Sequence, residues 1–157
     1  MISESEVNFR EATESDLPAV LALIGQPDMD HGEVLSLAPA RDIFLRMKHY
    51  PDYHIHVAER DGAVVGTFAL LIMDNLGHMG APSAIVEQVL VAPVAQGCGV
   101  GAAMMRHAMQ LAAERGCYKL VLSSNLKRER AHAFYDRLGF ERHGISFRVA
   151  LVEACRE

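Results

Sequence analysis

AIVEQVLVAPVAQGCGVGAAMMRHAMQLAAERG, residues 84–116, decides the fold. Its first nine residues, Ala84 to Ala92, are mostly apolar and rich in valine, and stop at Pro93, which predicts a strand. Its last part repeats apolar side chains at helical spacing, Val100, Met104, Ala108, Leu111 and Ala112, and closes at Gly116. Between the two, QGCGVG sets Gly97, Gly99 and Gly101 at alternate positions. Glycine costs about 0.5–1 kcal/mol relative to alanine inside a regular element, so three together point to backbone left bare for a ligand. Unpaired N–H groups and the positive end of the helix dipole converge at such a turn. The N–H groups of Gly97 to Ala102 are therefore a candidate phosphate cradle, with a tight packing turn as the alternative.

Gly97-x-Gly99-x-x-Ala102 also fits the loose dinucleotide fingerprint. That fingerprint needs an acid about 20 residues on, at the end of the next strand, to hold a ribose hydroxyl. Here the next strand ends Ser123-Ser124-Asn125, and the acid is missing. No Gly-Lys-Ser/Thr follows the glycines either, which counts against a nucleoside triphosphate loop.

Outward from this segment, the chain alternates strand and helix patterns. Val7 to Ala12 predicts a short first strand, and Thr13 to Asp16 has the Ser/Thr-x-x-acid form of a helix start that runs to Gly25. Gly25 to Glu33 is turn-rich and acidic and predicts a loop; a second helix is expected over roughly Leu37 to Lys48. YHIHVAER, the turn Asp61-Gly62 and AVVGTFALLIM form a hairpin signature. After the long helix come a buried-type strand, Lys119 to Ser124, a helix over Arg128 to Gly139, and two last strands in FERHG and ISFRVALVEA. This order predicts an α/β fold with a mixed sheet, in one domain spanning residues 1–157.

A net charge of −5 with mixed signs argues against a nucleic-acid partner. Cys98, Cys117 and Cys155 are an odd set without paired spacing, so no metal is expected from them, and free thiols fit a reducing cytoplasm. The N-terminal residues lack the pattern of a signal peptide, and no apolar run reaches the ~18 residues that cross a bilayer, so no membrane partner is expected. His54, His56 and His78 have no recognised metal-ligand spacing.

VLVAPVAQGCGVGAAMM resembles motif A of the GNAT superfamily of acyl-CoA N-acyltransferases, with Gln96, Gly99 and Gly101 at its three defining positions. AHAFYDRLGFE, Ala131 to Glu141, is similar to motif B of the same family. Arg128 departs from the pattern, since many members carry Asn there. The resemblance implies a mixed sheet flanked by helices with a splayed central strand pair, and acetyl-CoA as donor. Its diphosphate would lie on Gly97, Cys98, Gly99, Val100, Gly101 and Ala102, with Gln96 alongside. Its pantetheine arm would pair with the backbone of Val89, Leu90 and Val91, beside Phe134.

The narrower similarity is to small-molecule amine acetyltransferases, including those of aminoalkylphosphonates. It implies direct transfer to a primary amine, and an alkylammonium then needs a base. Glu87, an acid in an apolar strand two residues before the cofactor contacts, is the candidate; a solvent-facing residue or a partner for an arginine is the alternative. Tyr135 is the candidate acid at the departing thiolate, with an ordinary core aromatic as the alternative; an N–H of Val89 or Leu90 is the oxyanion donor, and Asn125 and His132 are further cofactor contacts or surface residues. An acceptor held by Asp28, Asp30 and Glu33 would be cationic, whereas a phosphonate would call on Arg41, Arg46 or Lys48. A peptide amine or a non-catalytic acyl-CoA sensor are the other readings. The family also implies a homodimer, with ISFRVALVEA as a contact.

Overall fold

The computed structural model describes residues 6–26 and 32–152. The chain divides into two compact units, Met1–Val121 and Leu122–Glu157. The first is built on a five-stranded sheet in sequence order: β1 (Asn8–Glu11), β2 (Tyr53–Arg60), β3 (Ala63–Met73), β4 (Ser83–Val91) and β5 (Leu120–Val121). The first four strands run antiparallel to their neighbours, and β5 lies parallel to β4, so the sheet is mixed as expected. Helices α1 (Leu17–Ile24), α2 (Leu37–Met47) and α3 (Val100–Glu114) complete this unit, and α1 and α3 each pack on β3 and β4.

Local chemistry sets the element ends. Asp61 and Gly62 both take left-handed backbone, φ 52° and 76°, which matches the twist of a two-residue hairpin turn between β2 and β3. At the start of α1, the Asp16 carboxylate accepts the Thr13 N–H at 2.7 Å. Arg10 on β1 grips that carboxylate with both terminal nitrogens, at 2.6 and 2.8 Å, and also bonds Glu59 on β2. The Arg10 guanidinium holds the buried Asp16 carboxyl down to about 2, so the first strand, the first helix and β2 share one ionic clamp.

The core is deepest where α3 crosses β3. A Cβ on Gly66 would lie 2.5 Å from Met104 Sδ and 3.2 Å from the Leu90 carbonyl oxygen, and Met104 is fully buried. Gly66 thus fixes how close α3 comes to the sheet. Gly66→Ala is expected to cost about 1–3 kcal/mol in urea unfolding, the usual range for overpacking.

His56 stacks on Phe68 at 4.9 Å between ring centroids and meets His107 of α3 edge-on at 6.3 Å. It is buried, and burial first, then the His107 and His54 charges, pushes its pKa down to about 4. The unfolded chain takes up this proton near pH 6.5 and the folded one only near 4, so stability falls as pH drops through that window. The loss is expected to reach about 3 kcal/mol by pH 4. His56→Phe keeps the stack and should flatten that slope in unfolding curves; an unchanged slope would assign it to other groups.

In the second unit, α4 (Glu129–Arg137) ends where Gly139 turns left-handed at φ 91°. Two expectations are corrected here. The strand expected over Lys119 to Ser124 shrinks to Leu120–Val121, and residues 140–152 form no helix or strand, where FERHG and ISFRVALVEA were expected to be strands. Alternation gives a segment one apolar face, but a strand also needs a neighbour, and this one pairs with no described strand. Asp28, Asp30 and Cys155 lie outside the described residues.

Candidate active site

The site begins at a defect in β4. Thr67 pairs with Leu90 and Ala69 with Glu87, so Gln88 and Val89 together face Phe68. Gln88 absorbs the extra residue with φ 50°, a β-bulge of the kind that re-aims a strand. Beyond the bulge the strand has one neighbour among the described residues. Only Ala84 and Ile85 pair with β5, and Val86 to Val91 have β3 on one side and no described strand on the other. The family resemblance implied an opening between central strands, and here the edge of Val86 to Val91 away from β3 meets no described strand.

The turn after β4 is tied back to it. Gln96 Nε2 donates to the Val91 carbonyl at 3.2 Å, and Gln26, from the end of α1, donates to the same oxygen at 3.2 Å. Gly97 and Gly99 sit at φ 75° and 88°, with Gly99 as the residue capping α3. The six N–H groups from Gly97 to Ala102 have no backbone acceptor among the described residues, and the next, Ala103, bonds the Gly99 carbonyl at 3.1 Å. Gln96, Gly97 and Gly99 are exposed. Six free donors at the positive end of a 15-residue helix suit a diphosphate, and the open edge of β4 suits an amide-bearing arm. Gly101 lies inside the first turn of α3, and Cys98 turns its thiol toward the Gln96 carbonyl at 3.7 Å.

Glu87 is exposed and makes no hydrogen bond or ion pair with any described residue, so no described arginine claims it. Its charge reaches Tyr53 on β2 and, after burial, is the second cause raising that phenol's pKa. In the second unit, Tyr135 lies edge-on to Phe134 at 5.1 Å and to Phe140 at 5.5 Å. Burial pushes its phenol pKa up, against the opposing effect of Arg128, so it keeps its proton at neutral pH. His132 and Asn125 meet each other: the His132 Nε2 lies 2.8 Å from the Asn125 carbonyl, which also accepts the Arg128 N–H, and the Asn125 Oδ1 accepts the Lys127 N–H. Ser124 Oγ is buried without a hydrogen-bond partner among the described residues.

Of the basic residues near α2, Arg41 pairs with Glu14. Lys48 lies over the Phe44 ring and lines a shallow cleft of about 40 Å³ with Glu11, Tyr53 and His54. In the loop after β3, His78 and Met79 both take left-handed backbone, and His78 stacks on Tyr118 at 3.8 Å. Among the described residues no group of three or more His, Cys, Asp or Glu is placed to hold a metal ion, and no helix is long and apolar enough to cross a membrane. Sequence reasoning missed Gln88 and Gln26, whose roles depend on strand register and on a contact 65 residues away.

Comparison with known proteins agrees with this geometry. Residues 23–140 match the model of the acetyltransferase (GNAT) family. The chain is 32% identical over 143 residues to an aminoalkylphosphonate N-acetyltransferase of Salmonella typhimurium, covering 91% of this chain and 90% of that one. It is 29% identical over 150 residues to a glucosamine 6-phosphate N-acetyltransferase of Trypanosoma brucei brucei, covering 93% and 97%. A solved structure of an Agrobacterium tumefaciens chain superposes with a TM-score of 0.83 at 32% identity, covering 91% of this chain and 99% of that one. With motif A on the bared turn and motif B on α4, the chain belongs to the GNAT family and is an N-acetyltransferase.

Proposed function

We propose that the protein acetylates the primary amine of a small molecule that also carries a phosphate or phosphonate, and that both compact units serve this one reaction as a single catalytic domain. The donor of GNAT enzymes, acetyl-CoA, supplies an activated acetyl thioester when bound. Here the N–H groups of Gly97 to Ala102 would hold its diphosphate, with Gln96 fixing the turn, and the free edge of Val89 to Val91 would receive its amide-rich arm. Phe134, Asn125 and His132 are assigned to its flank. The observation that carries this reading is the run of six N–H groups without a backbone acceptor, beside a strand with one unpaired edge, among the described residues.

Each chemical role follows from a group's surroundings. Glu87, exposed and unpaired, takes a proton from the acceptor ammonium, directly or through one water, because only the neutral amine attacks. Tyr135 Oη carries a proton at neutral pH and donates it at the departing sulfur. A backbone N–H of Val89 or Leu90, next to the bulge, meets the developing negative charge on oxygen. The acceptor class is drawn from the two curated relatives, both of which act on amines bearing a phosphorus oxyanion. Native mass spectrometry with acetyl-CoA, followed by a free-CoA assay over an amine panel, tests this. Glucosamine 6-phosphate or an aminoalkylphosphonate should turn over faster than polyamines or peptides; the reverse order would reject the acceptor class.

The free thiols Cys98 and Cys117 suit a cytoplasmic setting. The assembly is a homodimer in this proposal. Ile145, Phe147, Val149 and Leu151 alternate along the chain and are 77–89% exposed. Four such side chains carry on the order of 400 Å² of apolar surface. A two-fold contact covers each segment and an equal area opposite, roughly 1,600 Å² in all, the size of a stable interface. Light scattering should give twice the chain mass, and Phe147→Asp with Val149→Asp should give the monomer. A monomeric wild-type protein contradicts this.

A further inference from the structure

We propose that Tyr53 is an acceptor-binding residue, its phenol O–H donating to an oxygen of the amine substrate while Glu87 takes the amine. The inference rests on the proposed acetyl transfer and names a contact that selects among acceptors. It starts from sheet register. Tyr53 pairs with Leu71 and Leu71 with Ile85; Ile55 pairs with Ala69 and Ala69 with Glu87. Directly opposed residues share a face, as do residues two apart on one strand, so all six side chains stand on the same side of the sheet. The other side, with His56, Phe68 and Gly66, is occupied by α3.

On this shared face Tyr53 and Glu87 stand diagonally across β3, roughly 12 Å apart at their Cα atoms by sheet geometry. Ala69, opposite Glu87, offers only a methyl group between them. Tyr53 and Glu87 thus set one hydrogen-bond donor and one acceptor on this face, a small molecule's span apart. Tyr53 is itself braced: Tyr50 meets its ring edge-on at 5.4 Å. Burial and the Glu87 charge both keep its phenol protonated, so it presents a neutral donor whenever Glu87 presents a carboxylate. Glu11, Lys48 and His54 line the cleft beside Tyr53, and the phenol is the uncharged donor among them.

Tyr53→Phe removes only that hydroxyl. For glucosamine 6-phosphate and 2-aminoethylphosphonate, the variant should raise the acceptor KM about tenfold or more, the weight of a good hydrogen bond to a charged group. KM for acetyl-CoA, the thermal midpoint and the KM for butylamine, which has no oxygen, should stay the same. Calorimetric binding of the two phosphorus-bearing amines to wild type and variant gives the same comparison without turnover, so a failed reaction and a failed contact are told apart. An unchanged affinity for both amines overturns the inference. So does an equal loss for butylamine, or a wild type that binds neither phosphorus-bearing amine.

Discussion

Glu87→Gln is expected to lower kcat for amine acetylation roughly 100- to 1,000-fold while leaving acetyl-CoA affinity unchanged, the usual weight of a positioned general base. The amide matches the carboxylate in size and is exposed, so folding should not suffer. An alkylammonium near pKa 10.4 has few neutral molecules at pH 7 and about a hundredfold more at pH 9. The variant should therefore recover activity steeply with rising pH, while the wild type gains less. Stopped-time assays of CoA release across that range read both slopes. Parallel slopes would make Glu87 a bystander.

Gly99→Val is expected to weaken acetyl-CoA binding by at least about 100-fold. Gly99 caps α3 with φ 88°, where a β-branched side chain costs roughly 1–3 kcal/mol and bends the turn away from its bound shape. Each 1.4 kcal/mol is a factor of ten in affinity, and a side chain over the six N–H donors adds to the strain. Gly99→Asn separates the two effects, because asparagine tolerates left-handed backbone. It should keep the thermal midpoint and still lose affinity, as read by calorimetry with coenzyme A. Undiminished binding in both variants would remove the turn from the binding site.

Much of this architecture is local and could be read from the chain. Asp61-Gly62 dictates its turn through φ alone, Thr13 and Asp16 cap through neighbouring atoms, and Gly97 and Gly99 announce backbone that other residues avoid. The Gln88 bulge was not legible, because it exists only as a mismatch between two strands, and nothing in AIVEQVLV marks which residue is extra. The partner-free state of Glu87 is equally non-local: an arginine could have met it from several elements, and none does among the described residues. The end of the chain shows the opposite error. ISFRVALVEA reads as a last strand, but its apolar side chains, Ile145, Phe147, Val149 and Leu151, do not supply the neighbouring strand that it would need. Glu11 and Lys48 in the cleft beside Tyr53 likewise come from different elements, and their near-cancelling charges were not visible from composition.

Amide NMR of the protein titrated with coenzyme A tests the central claim most directly. The account predicts that the N–H resonances of Gly97 to Ala102 move first and furthest, with Val89 to Val91 following along the open edge of β4. Saturable binding that leaves those six resonances in place, or no binding at millimolar coenzyme A, would contradict it.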